Sequence, residues 1–145
     1  TLDKILEAGT YAPTGMGRQS PIIVAITDKE VRDRLSGNNA KIMGVDTDPF
    51  YGAPVVLVVL ARKDIPNRVY DGSLVMGNLM LAAHSLGLGS CWIGFAMNYG
   101  NLPQIKTKLN VPEKYSLVAP LVIGYPRRIG KPVPRKEPVI FSWVK

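Results

Sequence analysis

Residues 67–86 read as a helix with apolar side chains on nearly every face. The stretch after it, Gly87-Leu88-Gly89-Ser90-Cys91-Trp92-Ile93-Gly94, reads as a glycine-punctuated turn entering a short strand that carries a tryptophan. A helix apolar all round has to be buried on all sides. A chain of 145 residues can hardly enclose one alone. The segment therefore points to an interface between two copies, and the turn after it to a ligand-binding surface.

The remaining chain bounds what such a copy can be. Its length suits a single domain with a real core. The longest unbroken apolar run, Ala53 to Ala61, is nine residues including a proline, far short of a bilayer span. The single cysteine, Cys91, excludes an internal disulfide and fits a reducing compartment. A cytoplasmic location is the expectation. The net charge is +7. Most of the excess sits in residues 125–145, where six basic residues face one glutamate. A solvated tail, a nucleic-acid contact and an anion site for a cofactor phosphate all fit that run. No aromatic interleaving and no helix-turn-helix pattern favours nucleic acid.

Hydrophobic periodicity lays out the order. Leu2, Ile5, Leu6 and Ala8 predict a helix to about Tyr11, broken by Pro13, Gly15 and Gly17. Pro21–Thr27 predicts a strand. Asp28 is a good N-cap for a helix to about Leu35, with Gly37 as its stop. Gly37–Gly52 then reads as a mobile loop. Pro54–Ala61 predicts a central strand, Gly89–Phe95 another, and Asn98 or Asn101 caps a helix ending near Leu109. Ser116–Gly124 is a strand expected to break at Pro120. Tyr125–Pro138 is an extended arm suited to wrapping a neighbouring subunit, and Val139–Val144 alternates enough to add a strand. Alternating helices and apolar strands predict an α/β or α+β sandwich.

Side-chain chemistry is sparse. Gly15-Met16-Gly17 and Gly87-Leu88-Gly89 look like parts of a dinucleotide fingerprint. Both follow helices and open strands, the reverse of the Rossmann arrangement. One Cys and one His cannot satisfy a zinc site. His84 reads as a core or interface residue, and Cys91 as a small buried one. Asp46 and Asp48 read as solvated loop carboxylates. No triad or carboxylate pair stands out. Glycine-rich loops with a basic arm suit a protein whose bound cofactor carries the chemistry. Composition alone leaves a non-enzymatic interaction domain equally open.

Four blocks then carry a resemblance. Residues 5–21, with Ala12-Pro13-Thr14-Gly15 and Gln19-Ser20-Pro21, resemble the nitroreductase signature of a helix ending in Ala-Pro-Ser-Gly before Gln-Pro. Asp71-Gly72, Asn78-Leu79, Ala82-Ala83 and Gly87-Leu88-Gly89-Ser90 with Trp92-Ile93-Gly94 resemble its second signature. Pro120–Pro126 is similar to its late strand and Gly-Tyr-Pro turn. Arg135-Lys136-Glu137-Pro138 and Trp143 resemble its closing segment. The blocks occur in family order and cover almost the whole chain.

The resemblance implies an α+β fold: a three-layer α-β-α sandwich with a mixed central sheet, one domain over residues 1–145, and a C-terminal arm exchanged in a homodimer. It implies FMN sites at the dimer interface and electron transfer from NADH or NADPH to nitroaromatic or quinone-like acceptors by a ping-pong mechanism. A non-catalytic flavin-binding or basic interaction protein, or other flavin chemistry on the same fold, are the alternatives. By motif match, Pro13, Thr14 and Gly15 form a loop crossing to the partner's flavin, and Gln19 positions the flavin. Gly89, Ser90, Trp92, Ile93 and Gly94 lie beside the isoalloxazine ring. Arg135 and Lys136 hold the phosphate. Asp71 and Asn78 are structural or interfacial. Thr14 stands where Ser is usual, Gly17 where Asn is common, and Ser20 is inserted before Pro21. The family's N-terminal Arg-x-Ser-x-Arg element is missing, and truncation is the expected reason.

Overall fold

A computed structural model describes residues 1–94 and 103–144. Its elements are α1 (Leu2–Thr10), a short 3-10 turn (Gly15–Gly17), β1 (Ile22–Ile26), α2 (Lys29–Met43), β2 (Val55–Arg62), α3 (Arg68–Ser85), β3 (Gly89–Trp92), α4 (Pro103–Lys108) and β4 (Tyr115–Gly124). The strands form one sheet in the order β1-β2-β4-β3.

The sheet separates two cores. Along β2, Leu57, Val59 and Ala61 face one core together with Ile5 of α1 and Met76, Leu79 and Ala83 of α3. Val56, Val58 and Leu60 face the other, packed with Val31 and Leu35 of α2 and Leu109 after α4. This strict alternation is the period-2 geometry of a strand buried on both faces. It makes a three-layer α-β-α sandwich.

The sequence anticipates a mixed sheet, and all three described pairings are antiparallel. A parallel pairing needs a strand beyond these four.

β4 departs from the expected break at Pro120 and runs through it from Tyr115 to Gly124. The Pro120 carbonyl accepts the Ile93 N–H at 3.0 Å. In a strand the N–H and C=O of one residue face the same side, so the donor Pro120 lacks points past the end of β3, where the ladder has stopped at Trp92. The bulge lies elsewhere: Val59 pairs with Ala119 and Leu60 with Leu117, leaving Val118 unpaired. Val118 and Ala119 consequently face the same core.

α2 runs eight residues beyond the expected stop at Leu35. Gly37 does not end it. Arg32, Ser36 and Asn39 form a buried stripe at helical spacing that carries the helix onward. Gly44 at φ 67° closes it. The Val45 N–H reaches the Ala40 carbonyl at 3.1 Å and the Gly44 N–H the Lys41 carbonyl at 3.2 Å, a Schellman closure. The N-cap is as expected, with Asp28 accepting the Val31 N–H at 2.8 Å.

α3 is buried on one face only. Asp71, Gly72, Val75, Met76, Leu79 and Ala83 point inward. A Cβ at Gly72 would stand 2.6 Å from a Val118 methyl, so only glycine lets α3 lie this close to β4. Met76 and Leu79 are wholly buried, each stabilising the fold by about 1.5–3 kcal/mol. Tyr70, Leu74 and Leu81 share the opposite face and are exposed. His84 is exposed with them, so it is not a core residue of this chain.

Residues 125–144 carry no helix or strand and are exposed. Among the described residues no strand pairs with Val139–Val144, and it forms none itself. The expected caps Asn98 and Asn101, and Phe95, fall outside the described residues.

Candidate functional site

The loop after α1 is held by α3. The Gly15 N–H donates to Asp71 Oδ1 at 2.9 Å. A Cβ on Gly15 would stand 2.8 Å from the Asn67 side-chain nitrogen, so the loop lies directly on the start of α3. Asn78 donates to the Ala8 carbonyl at 3.0 Å, fixing the end of α1. The Gln19 N–H donates to Thr14 Oγ1 at 2.9 Å and closes the loop on itself. Within it Met16, Gly17 and Gln19 have φ of 56°, 63° and 47°. Two non-glycine residues in left-handed conformation three positions apart mark a strained loop of the kind that gathers at functional sites. Pro13 is exposed at its start.

β3 delivers the second group. Ser90 pairs with Ile123 and Trp92 with Leu121, which places Ile93 and Gly94 just past the strand's end. Gly89 packs on Pro126, 3.4 Å from where its Cβ would stand. The Ile93 N–H is used by Pro120. Among the described residues, a Cβ at Gly94 would meet nothing within 4 Å. Gly94 is exposed, and among the described residues its backbone is approachable by a flat ligand.

The structure only partly gathers the expected site. Trp92, Ile93 and Gly94 line a cavity of about 480 Å³ with Met43, Val45, Thr47, Asp48, Pro49 and Tyr51. Thr14 and Gln19 line a separate cavity of about 460 Å³ with Thr10, Ala12, Ile22 and Val75. Arg135 and Lys136 line neither, and no described residue pairs with either of them.

Sequence reasoning missed the wall of the first cavity. Asp48, expected to be solvated, is a knot. Its carboxylate accepts the Ser36 hydroxyl and the Arg32 guanidinium, with the Phe50 N–H at 2.9 Å and the Gly52 N–H at 2.7 Å. Arg32 is 8 % exposed. It also donates to the Ala53 carbonyl at 2.9 Å and lies 5.5 Å over the Phe50 ring. Burial pushes the Asp48 carboxyl up. The bonds from Ser36, Arg32, Phe50 and Gly52 outweigh it and hold the pKa at about 2. Residues 44–52 are therefore anchored to α2 and to the start of β2. The available signal was Asp48 two residues before Phe50, the spacing at which an Asp side chain captures backbone N–H.

Comparisons with known proteins agree with this geometry. The model of the nitroreductase family matches residues 1–125. An FMN-dependent nitroreductase from Clostridium difficile is 32 % identical, with a TM-score of 0.76 over 92 % of this chain and 79 % of that one. A nitroreductase with bound FMN from Desulfitobacterium hafniense is 25 % identical, with a TM-score of 0.83 over 97 % of this chain and 85 % of that one. An FMN reductase (NAD(P)H) of Bacillus subtilis is 28 % identical over 92 % of this chain. The chain spans 60 % of that relative's length, and 72 % of a relative from Archaeoglobus fulgidus. With the family model matched over most of its length, the chain belongs to the nitroreductase family.

Proposed function

We propose that the protein is an FMN-dependent oxidoreductase that passes electrons from NADH or NADPH to nitroaromatic or quinone-like acceptors by a ping-pong mechanism, as a cytoplasmic homodimer. The observation that carries it is the open backbone at Gly94 beside a cavity walled by Trp92 and Tyr51. Such a surface fits a flat ring. FMN bound there supplies a two-electron carrier between donor and acceptor.

The chain's residues bind and orient. Trp92, Ile93 and Gly94 form the ring's bed, and the Gly94 N–H is a donor for the electron-rich reduced ring. Gly89 and Ser90 hold β3 in register beneath them. Arg135 and Lys136 bind the phosphate by charge-assisted bonds. They stand on an arm whose apolar residues, Phe141 and Trp143 among them, are exposed. Pro13, Thr14, Gly15 and Gln19 form a loop for a flavin held mainly by the other copy.

Two features support the homodimer. The α3 stripe of Tyr70, Leu74 and Leu81 lacks cover among the described residues, as do the apolar side chains of the arm. The stripe is apolar, the arm carries apolar side chains among its basic ones, and a second copy covers both. Among the described residues no helix is long and apolar enough to cross a membrane.

The test is a visible spectrum of the purified protein with FMN, before and after anaerobic NADH. Bound flavin that bleaches with NADH and recovers with a nitroarene is the expected result. A protein that stays colourless with added FMN overturns the reading. One that binds FMN but is reduced by neither NADH nor NADPH leaves the non-catalytic alternative.

A further inference from the structure

We propose that Tyr51 is the specificity-determining residue of the Trp92 cavity, its ring facing a flat aromatic electron acceptor laid over the flavin that Trp92 and Gly94 bed. The proposal rests on the flavin oxidoreductase reading above and adds to it the residue that sets acceptor choice.

Tyr51 and Trp92 are the aromatic residues lining the 480 Å³ cavity; Met43, Val45, Pro49 and Ile93 are its apolar lining, and Thr47 and Asp48 its polar one. Tyr51 has φ 56°, a conformation bulky side chains rarely adopt. It is also 73 % exposed, so packing against its own chain does not hold it there. What holds it is Asp48. The Asp48 carbonyl accepts the Tyr51 N–H at 3.1 Å, and its carboxylate takes the N–H groups on either side, those of Phe50 and Gly52. Asp48 is itself fastened by buried Arg32 and by Ser36.

A large exposed ring kept in a strained backbone by an ionic knot on buried Arg32 gains the fold nothing in packing. Its position has a use at the cavity, where an aromatic face stacks on a planar ligand. The charged residue of the wall is already engaged: Asp48 accepts four hydrogen bonds, one of them from Arg32 behind it. Recognition at this wall therefore falls to the aromatic and apolar faces. Tyr51 forms no bond to the acceptor. NAD(P)H loses two electrons and a proton, and the acceptor gains the electrons with protons from water.

The experiment uses the FMN-loaded full chain with Tyr51→Leu and Tyr51→Phe. The acceptors are 4-nitrobenzyl alcohol, a neutral nitroarene, and ferricyanide, which has no aromatic face. The ratio of their kcat/KM values should fall roughly threefold to tenfold against the nitroarene in Tyr51→Leu, the effect of one lost aromatic contact, and carry through KM. Tyr51→Phe keeps the ring and should keep the wild-type ratio. A second readout needs no turnover: benzamide binding followed by the change in the bound flavin's absorbance, weakened by the same factor in Tyr51→Leu. An unchanged ratio and unchanged benzamide binding overturn the assignment, as does an equal loss with both acceptors. Wild-type protein that binds no FMN, or is not bleached by NADH or NADPH, overturns the flavin reading instead and this assignment with it.

Discussion

The Asp71 carboxylate accepts the Gly15 backbone N–H at 2.9 Å, joining residues 56 positions apart. Seven residues further along the same helix, Asn78 takes hold of the Ala8 carbonyl. α3 thus grips both the end of α1 and the strained loop that follows. Asp71 is 3 % exposed, and its second oxygen has no partner among the described residues. A buried carboxylate with one hydrogen bond is a costly way to fasten a loop. It is justified where the loop's position matters.

Asp71→Ala should therefore lower unfolding stability by about 1.5–3 kcal/mol, the worth of a hydrogen bond to a charged group. Asp71→Asn, which keeps an acceptor oxygen, should cost less. Urea unfolding of the two variants measures the difference. FMN affinity should fall with the loss of loop order. An Asp71→Ala protein as stable as wild type shows that the tether is idle.

Asp48 sets an acid limit. Its folded pKa of about 2 lies below the ordinary 3.8. The folded state binds the proton less readily than the unfolded chain. The stability Asp48 contributes is therefore complete above about pH 4 and is lost as pH falls toward 2. Asp33, Asp64 and Glu113 are shifted in the same direction by their basic neighbours. The difference between wild type and Asp48→Asn isolates the one group. Acid unfolding should be steeper in wild type, and the two curves should converge near pH 2. Parallel curves between pH 4 and 2 refute the knot.

The helices and strands that bury regular patterns were legible in the sequence. Leu2, Ile5 and Leu6 mark α1, the run from Val55 marks β2, and Asp28 marks the start of α2. Local patterns misled where tertiary packing decides. Gly37 looks like a stop, yet the buried stripe through Arg32, Ser36 and Asn39 carries α2 past it. Pro120 looks like a breaker, yet its missing donor faces the end of β3. The candidate site was half legible. Trp92, Ile93 and Gly94 follow from a motif, and they share a cavity. Asp48 and Tyr51 could not be read, because their roles depend on Arg32 and Ser36, brought alongside by the turn at Gly44. Arg135 and Lys136 lie apart from that cavity in a single chain, since a long arm's destination is written in no local pattern.

Substituting Arg135 and Lys136 by Ala tests the phosphate assignment. Each charge-assisted contact is worth about 1.5–3 kcal/mol, so each loss should weaken FMN binding by about tenfold or more. Riboflavin lacks the phosphate, and its binding should not change. Both side chains are exposed, so thermal stability of the flavin-free protein should hold. Titration of FMN and riboflavin by fluorescence quenching reads both numbers. Equal losses for the two flavins place the phosphate elsewhere.

Leu81→Glu tests the α3 face. Leu81 is 71 % exposed in the single chain, where such a change costs within about 0.5 kcal/mol. At an interface of two copies it is buried twice. The lost apolar burial alone then amounts to about 3 kcal/mol or more for the pair, before any cost of desolvating two carboxylates. The dimer should weaken at least about a hundredfold. Sedimentation velocity across a micromolar dilution series reads the shift. FMN affinity should fall in parallel, because the loop with Thr14 and Gln19 and the cavity with Trp92 lie apart in one chain and, in the proposed homodimer, meet at one flavin across the two copies. A Leu81→Glu protein that stays dimeric with full FMN affinity moves the interface off α3 and leaves the exposed arm as the surface joining the copies.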